Sequence, residues 1–155
     1  MFNNLYIYPN MNSNMMSVMN MMNMHMMMNS TLIRLKKEYE LCKNDKDLVE
    51  SIGASISLID GNYYHWRTTI IGPKDTPYED GLFLIKITFP KDYPKHGAEF
   101  MFISKIYHTI IDFRNDFGHI NIRTLNEWKC IGKVTGKACY GVKQALFDIY
   151  YMFFK

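Results

Sequence analysis

The sequence predicts an α+β domain in which a four-stranded antiparallel meander is flanked by an N-terminal helix and a C-terminal helix. Two apolar stripes with helical spacing, one after residue 30 and one close to the C-terminus, predict the helices. Between them, four runs of alternating apolar and polar residues, separated by turns, predict consecutive antiparallel strands. The chain has 155 residues, 48% of them apolar and 15% aromatic, which suffices for one core and one domain.

The first 30 residues differ sharply in composition from the rest. They hold 11 of the 13 methionines and 8 asparagines but no Asp, Glu, Lys or Arg. Such a composition predicts a disordered, low-complexity extension at residues 1–30 and a core domain at residues 31–155. A secretory signal would need a basic start and a small-residue cleavage site, and a transit peptide would need arginines. Organelle targeting by another signal and weak partner docking through methionines stay open.

The first helix is predicted to begin at Ser30 or Thr31, either of which can cap it, and to end near Asn44. Basic residues lie off its apolar stripe, which therefore faces the core. The stripe consists of Leu32, Leu35, Tyr39 and Cys42. Cys42 is accordingly predicted to be a packed core thiol.

The four predicted strands follow in order, and Asp60-Gly61 supplies a turn signal after the first of them. They run from Ile52 to Asp60, Tyr63 to Ile71, Leu82 to Phe89 and Phe100 to Tyr107. Alternation in the second and third strands gives each an apolar face. These faces comprise Tyr64, Trp66, Thr68 and Ile70 in one strand and Phe83, Ile85, Ile87 and Phe89 in the other.

A long irregular stretch, about residues 108 to 138, separates the meander from the last helix. Loops of this length are usually functional or ordered by something else. The last helix is predicted from about Gly141 to Phe153, with a stripe at Val142, Leu146, Ile149 and Phe153. Its aromatic final turn fits two alternatives, a surface covered by a partner or a helix packed on the sheet.

Charge and cysteine content limit the partners and the compartment. The net charge is +3, without a concentrated basic face, so no nucleic-acid partner is expected. Cys42, Cys130 and Cys139 form an odd, widely spaced set, which indicates a reducing compartment, the cytoplasm or the nucleus, and no disulfide framework. Metal-ligand spacing is missing, so no metal and no cofactor are expected. No apolar run reaches the roughly 18 residues that a membrane span needs.

Several strings resemble the ubiquitin-conjugating enzyme (E2) family, in the family's order and with nearly its separations. They are Tyr63–Pro73, Asp75–Gly81, Phe89–Pro94 and Lys105–His108, with Trp128 close to where the family keeps a tryptophan. The resemblance covers about Ser30 to Phe153. It implies the same four-stranded meander flanked by helices, and a role in conjugation of ubiquitin or a ubiquitin-like protein.

The resemblance also implies where the family's chemistry would lie. In that family a cysteine accepts ubiquitin from an activating enzyme as a thioester, which requires a thiolate nucleophile. The family's His-Pro-Asn motif reads His108-Thr109-Ile110 here, and Ile110 has no side-chain donor for an oxyanion. The family's cysteine position falls on Asn121, which cannot form a thioester. Arg123 stands where many members carry an acid.

These departures predict a non-catalytic E2 variant that acts as partner or regulator of an active E2. The chain ends at Lys155, where most active members continue with two more helices, and this also resembles the variants. One alternative is an active transferase that uses Cys130 or Cys139 as a displaced nucleophile. Another is a fold reused for unrelated protein binding.

Partner-binding residues are assigned by resemblance alone. The first helix, with Arg34, Lys36 and Lys37, is where the family meets its activating enzyme. Lys95 and Trp128 belong to the end of the molecule where the family binds ligases. A basic helix face is equally typical of any solvated surface helix, and that alternative stays open.

Overall fold

The computed structural model describes residues 13–108, 111–112, 118–120 and 141–154, and it confirms the predicted α+β architecture. Within these ranges three helices accompany one sheet. The helices are α1 (Ser13–Lys43), α2 (Lys46–Ile52) and α3 (Val142–Phe154). The strands are β1 (Ser55–Ile59), β2 (Asn62–Ile71), β3 (Leu82–Thr88), β4 (Glu99–Phe102), β5 (Ile111–Asp112) and β6 (Gly118–Ile120). No helix in this part of the chain has both the length and the hydropathy of a membrane span.

The sheet is antiparallel throughout, in the order β1-β2-β3-β4-β6-β5. Strands β1 to β4 form the predicted meander. The fourth strand ends earlier than predicted, at Phe102 instead of Tyr107. Beyond it the Ile103 amide still donates to the Leu84 carbonyl at 2.8 Å, but the Leu84 amide donates to the Ser104 hydroxyl at 2.9 Å, so a side chain replaces the next backbone acceptor.

Two short strands lie inside the stretch that the sequence predicts to be irregular. β6 pairs with β4 through Met101 and His119, and β5 pairs with β6 through Ile111 and Ile120. The prediction of irregular structure is therefore wrong at residues 111–112 and 118–120. Strands of two and three residues are too short for alternation to reveal them.

The core lies between the inner face of the sheet and the helices, as the alternation in β2 and β3 predicts. The Trp66 ring contacts Tyr39 of α1 edge-on, with centroids 5.3 Å apart, and Phe89 at 4.6 Å. Each large apolar side chain buried here stabilises the fold by about 1.5–3 kcal/mol. The buried inward residues of β2 and β3 are Trp66, Thr68, Ile70, Phe83, Ile85 and Ile87.

Helix α1 begins at Ser13, so the predicted start at Ser30 or Thr31 is wrong. Residues 13–30, predicted to be disordered, are helical here because methionine is a good helix former and no Gly or Pro interrupts them. Ser30 does not cap; its hydroxyl donates to the Met27 carbonyl at 2.8 Å within the helix. The buried residues of α1 all lie from Thr31 onward. The domain boundary near residue 30 stays a prediction.

Helix α2 was not predicted from the sequence, although its caps have local signals. The Asp45 side chain accepts a hydrogen bond from Leu48 N at 3.1 Å, as an N-cap does. Gly53 ends the helix with φ of 59°, a left-handed conformation that glycine adopts without strain. Ile52, predicted to open the first strand, is the buried last residue of α2.

Helix α3 confirms the predicted last helix, shifted by one residue at each end, and its predicted stripe is buried. The structure also distinguishes between the two alternatives for its final turn, a partner-covered surface and packing on the sheet. The Phe153 ring lies 5.1 Å from Phe102, and the Phe154 ring lies 5.3 Å from Tyr78. The turn therefore packs on the sheet, while Tyr151 remains 47% exposed.

Candidate functional site

The segment that leads to the predicted nucleophile position is anchored by aromatic contacts. The Tyr78 hydroxyl donates to the Tyr107 carbonyl at 2.9 Å, and the Tyr78 ring also contacts Phe154. The next residue, His108, is partly buried, with its ring 4.6 Å from that of Phe153. His108 is thus held against α3, which fits a structural role for the motif histidine.

Strand β6 fixes the chain directly before position 121. Its residue His119 is in register with Met101 of β4, and Ile120 is buried at the sheet. The backbone entering the predicted site is therefore tied to the central meander.

The other residues predicted for the site lie outside the described residues. The catalytic status of the chain, including the two displaced nucleophiles, accordingly stays a prediction. The residues concerned are Ile110, Asn121, Arg123, Trp128, Cys130 and Cys139.

Two of the three predicted cations on α1 have partners inside the molecule. The Arg34 guanidinium lies 5.5 Å from the centre of the Tyr93 ring, and the Lys36 ammonium lies 5.5 Å from that of Tyr63. Lys37 is exposed and lines a groove at the junction of α1 with the start of α3. Of these three cations, Lys37 is the best placed to meet a partner.

Glu38, which was not among the residues predicted for the site, joins three segments. Its carboxylate accepts hydrogen bonds from the Tyr93 hydroxyl and from the Val142 amide, both at 2.8 Å. The Arg34 Nε lies 3.6 Å from the same carboxylate. Burial and the adjacent Glu38 charge raise the pKa of Tyr93. A carboxylate on an opposing helix thus caps the N-terminus of α3, where negative charge is favourable.

A second link joins α2 to α3 through Lys143. Its ammonium donates to Asp45 at 2.7 Å and to Asp47 at 2.8 Å. Burial disfavours ionisation of Asp45, but the bonds from Lys143 and from the Leu48 amide outweigh burial and lower the pKa of that carboxyl. These hydrogen bonds likewise raise the pKa of Lys143. Of the interactions that Glu38 and Lys143 make here, only the one between Arg34 and Glu38 joins residues at a helical spacing of four positions, which a sequence pattern can indicate.

The groove beside these links has a volume of about 520 Å³ and adjoins the buried thiol of Cys42. Burial, together with the nearby Glu38 and Asp45 carboxylates, raises the pKa of Cys42 to about 12. A thiol that stays protonated is a poor nucleophile. The structure therefore confirms Cys42 as a core thiol, which is 4% exposed. Its neighbours along the groove include Arg34, Lys37, Leu41, Gly141 and Lys143.

Lys95 lies on an exposed turn at another place on the surface. Its amide donates to the Asp92 carbonyl at 2.9 Å, and the preceding Tyr93-Pro94 bond is cis. The Thr31 hydroxyl joins this turn to α1 by contacting the carbonyls of Tyr93 and Lys91, at 2.9 and 3.1 Å. Lys95 is thus an exposed side chain on an anchored turn.

Comparison with known proteins identifies relatives over most of the chain. A family model described as "Ubiquitin-conjugating enzyme" matches residues 34–153. The "Probable ubiquitin-conjugating enzyme E2 7" of Caenorhabditis elegans is 46% identical over 61 residues, 39% of this chain. That match spans only 37% of the relative's own length.

Solved structures agree with the fold. Human ubiquitin-conjugating enzyme E2 G1 is 33% identical, with a TM-score of 0.62 over 78% of this chain and 92% of that one. The E2 domain of a Toxoplasma gondii ubiquitin conjugating enzyme is 30% identical, with a TM-score of 0.62 over 79% of this chain and 74% of that one. Because the family model extends over well more than half of the residues and the meander agrees with both structures, this chain belongs to the ubiquitin-conjugating enzyme family.

Proposed function

We propose that this chain is a non-catalytic member of its family, acting as partner or regulator of an active E2 in conjugation of ubiquitin or a ubiquitin-like protein. The observation that carries the proposal is Asn121 at the family's cysteine position. A carboxamide has no thiolate to accept an acyl group. Ile110 and Arg123 change two further positions that the family uses for oxyanion stabilisation and for the incoming lysine.

The placement of β6 supports the assignment of Asn121 to that position. The strand pairs with β4 and ends at buried Ile120, one residue earlier in the chain. Cys42 is not a substitute nucleophile, because it is buried and its pKa is raised to about 12. Its free thiol also fits the predicted reducing compartment, the cytoplasm or the nucleus.

The expected partners are an active E2 or an activating enzyme, together with ubiquitin or a ubiquitin-like protein. Exposed Lys37 on α1 and exposed Lys95 on its turn are the described cations that support such contacts. Arg34 and Lys36 already contact aromatic rings within the chain, so we assign them a smaller share of any binding energy.

The alternative is an active transferase with a displaced cysteine, and one feature favours Cys139 over Cys130. Cys139 lies three residues before Val142, where α3 begins. A helix N-terminus and nearby lysines lower the pKa of a thiol. Lys129, Lys133 and Lys137 are such lysines in the sequence. They favour a thiolate on either cysteine, so the helix start alone distinguishes Cys139.

A charging assay separates the two functions. The full chain is mixed with an activating enzyme, ATP and ubiquitin, and a non-reducing gel is inspected for an adduct that a reductant removes. Cys130→Ala and Cys139→Ala are assayed beside the parent, with an active E2 as the positive control. We expect no adduct from this chain. An adduct lost in one of the variants would overturn the proposal and identify the nucleophile.

A binding assay tests the partner role. Size-exclusion chromatography of the chain with individual active E2s and with an activating enzyme should give a complex with at least one of them. Lys37→Glu should weaken that complex by about tenfold or more, because truncating or reversing a charge at an interface commonly costs over 1.4 kcal/mol. Lys74→Glu, at an exposed lysine in the β2–β3 connection, is the matched control. Absence of any complex would contradict the partner role.

A further inference from the structure

The first half of α1 is a surface of exposed methionines that the core does not use. Eight methionines between residues 15 and 27 are each 50–66% exposed. None of residues 13–30 is buried, and the buried residues of this helix begin at Thr31. Thioether side chains held along a helix in water offer soft sulfur donors on its surface.

One histidine stands in the middle of this surface, with methionines at helical spacing on both sides. Relative to His25, Met21 and Met22 lie four and three positions earlier, and Met28 lies three positions later. Residues three or four apart on a helix are neighbours, with Cβ atoms about 5–6 Å apart. His25 and these three methionines line one shallow concavity of about 520 Å³, and Val18, Met24 and Met26 complete its lining.

The donor set determines which ions it can attract. Thioethers and imidazole are neutral and comparatively soft donors, which suit Cu(I) better than hard cations. Mg²⁺ and Ca²⁺ need oxygen ligands, and the first 30 residues contain no Asp or Glu. Neutral ligands do not offset the charge of a bound ion. A singly charged cation, which costs less to desolvate than a divalent one, therefore suits this donor set better.

We propose that His25, Met21, Met22 and Met28 form a binding site for a soft monovalent cation of the Cu(I) class, with one nitrogen and three sulfur donors. This proposal departs from the sequence prediction that no metal is bound. That prediction considered cysteine and histidine spacing, and among the described residues no group of three or more His, Cys, Asp or Glu is placed to hold a metal ion. Methionine sulfur is a different ligand class.

The experiment uses the full chain with Cys130→Ser and Cys139→Ser, because these two thiols would compete for a soft ion. Silver nitrate in chloride-free buffer supplies Ag(I), a redox-stable probe of the same class. Calorimetry gives stoichiometry and affinity, and spectra of protein with ¹³C-methyl methionine show which side chains respond. We expect one tight equivalent, with the methyl signals of Met21, Met22 and Met28 shifting first.

Two variants remove the ligands, and a matched variant removes as many other thioethers. The first is the triple change of Met21, Met22 and Met28 to Leu, and the second is His25→Ala. The control is the triple change of Met16, Met19 and Met27 to Leu, which lie outside the concavity. Leucine preserves volume and helix propensity. Loss of supporting partners alone weakens metal sites about 10–100-fold, so loss of three ligands should weaken binding at least tenfold.

Three results would overturn the proposal. One is an equal loss of affinity in the control triple variant, and another is several weak equivalents that are insensitive to His25→Ala. The third is no Ag(I) binding by the cysteine-substituted chain. Circular dichroism of every variant verifies that α1 is retained, so that a lost site is not confused with a lost helix.

Discussion

Glu38 connects parts of the chain that are far apart in sequence, since it accepts hydrogen bonds from Tyr93 and from Val142. Glu38→Ala would leave the hydroxyl and the helix N-terminal amide without their acceptor. A partly buried donor left unpaired costs about 1–3 kcal/mol, so we expect the free energy of unfolding to fall by about that amount. Urea unfolding followed by tryptophan fluorescence measures the change.

Glu40→Ala is the control for this prediction, because Glu40 is exposed on the same helix. Surface substitutions of this kind change stability by about 0.5 kcal/mol or less. If the two variants lose equal stability, the hydrogen bonds of Glu38 are not what stabilises the junction.

Lys143 makes stability depend on pH through Asp45. The pKa of Asp45 is lowered in the folded protein, whereas an unfolded aspartate has a pKa of about 3.9. The pair therefore stabilises the fold fully above about pH 4, and this stabilisation disappears as the pH falls through the folded pKa. The urea midpoint should therefore fall as the pH is lowered from about 6 to about 2, and we call this fall the acid limb. Lys143→Met should make the acid limb less steep.

Lys46→Met serves as the comparison, since Lys46 is an exposed lysine at the start of α2. It should leave the acid limb as steep as in the parent. Identical limbs for the parent and Lys143→Met would show that this ion pair does not control the acid sensitivity.

At the scale of elements, α3 stabilises the sheet and the approach to the site together. The Phe153 ring contacts both Phe102 of β4 and His108. Phe153→Ala should lower the free energy of unfolding by about 3–5 kcal/mol, the usual cost of removing a buried aromatic ring. Tyr151→Ala in the same turn should cost far less, because Tyr151 is 47% exposed. Equal losses in a urea titration would mean that the final turn does not pack as described.

Helix α1 has two halves with different roles in stability. Met19→Pro should break the exposed half, since proline in a helix interior costs about 3 kcal/mol locally. The core begins at Thr31, so we expect the urea midpoint to change little while far-ultraviolet circular dichroism loses helical signal.

Lys36→Pro is the contrasting variant, because it places the same break beside the buried residues of α1. It should lower the unfolding midpoint strongly. A comparable drop for Met19→Pro would contradict the boundary predicted near residue 30.

At the scale of the whole molecule, Cys42 reports global opening. It is 4% exposed, and its pKa is raised to about 12. In the folded protein the thiol is therefore both inaccessible to a reagent and protonated, and each of these slows its reaction. With Cys130→Ser and Cys139→Ser as background, a disulfide reagent at about pH 8 should label Cys42 at least about a thousandfold more slowly than in urea. The reason is that a domain with a free energy of unfolding of ~5 kcal/mol is unfolded for less than about a thousandth of the time. Rapid labelling without urea would reveal local opening of α1.

Short-range patterns carry much of the fold and of the functional proposal. Alternation in β2 and β3 predicted which side chains are buried, and helical spacing predicted α3, because each pattern repeats within a few residues. The strings around Pro73 and Pro94 indicated the family before any fold was known. The assignment of Asn121 to the family's cysteine position likewise rests on sequence alone and stays a prediction.

Contacts between distant residues were decided by the tertiary structure alone. Glu38 is 55 residues from Tyr93 and 104 from Val142, and no local pattern predicts that their polar groups meet. The same holds for the short pairing of β6 with β4 and for the packing of Phe154 on Tyr78. The sequence by itself determined the meander, the last helix and the resemblance to the family, because these depend on neighbouring residues. The tertiary structure decided the junctions, because each of them forms only when distant segments pack together.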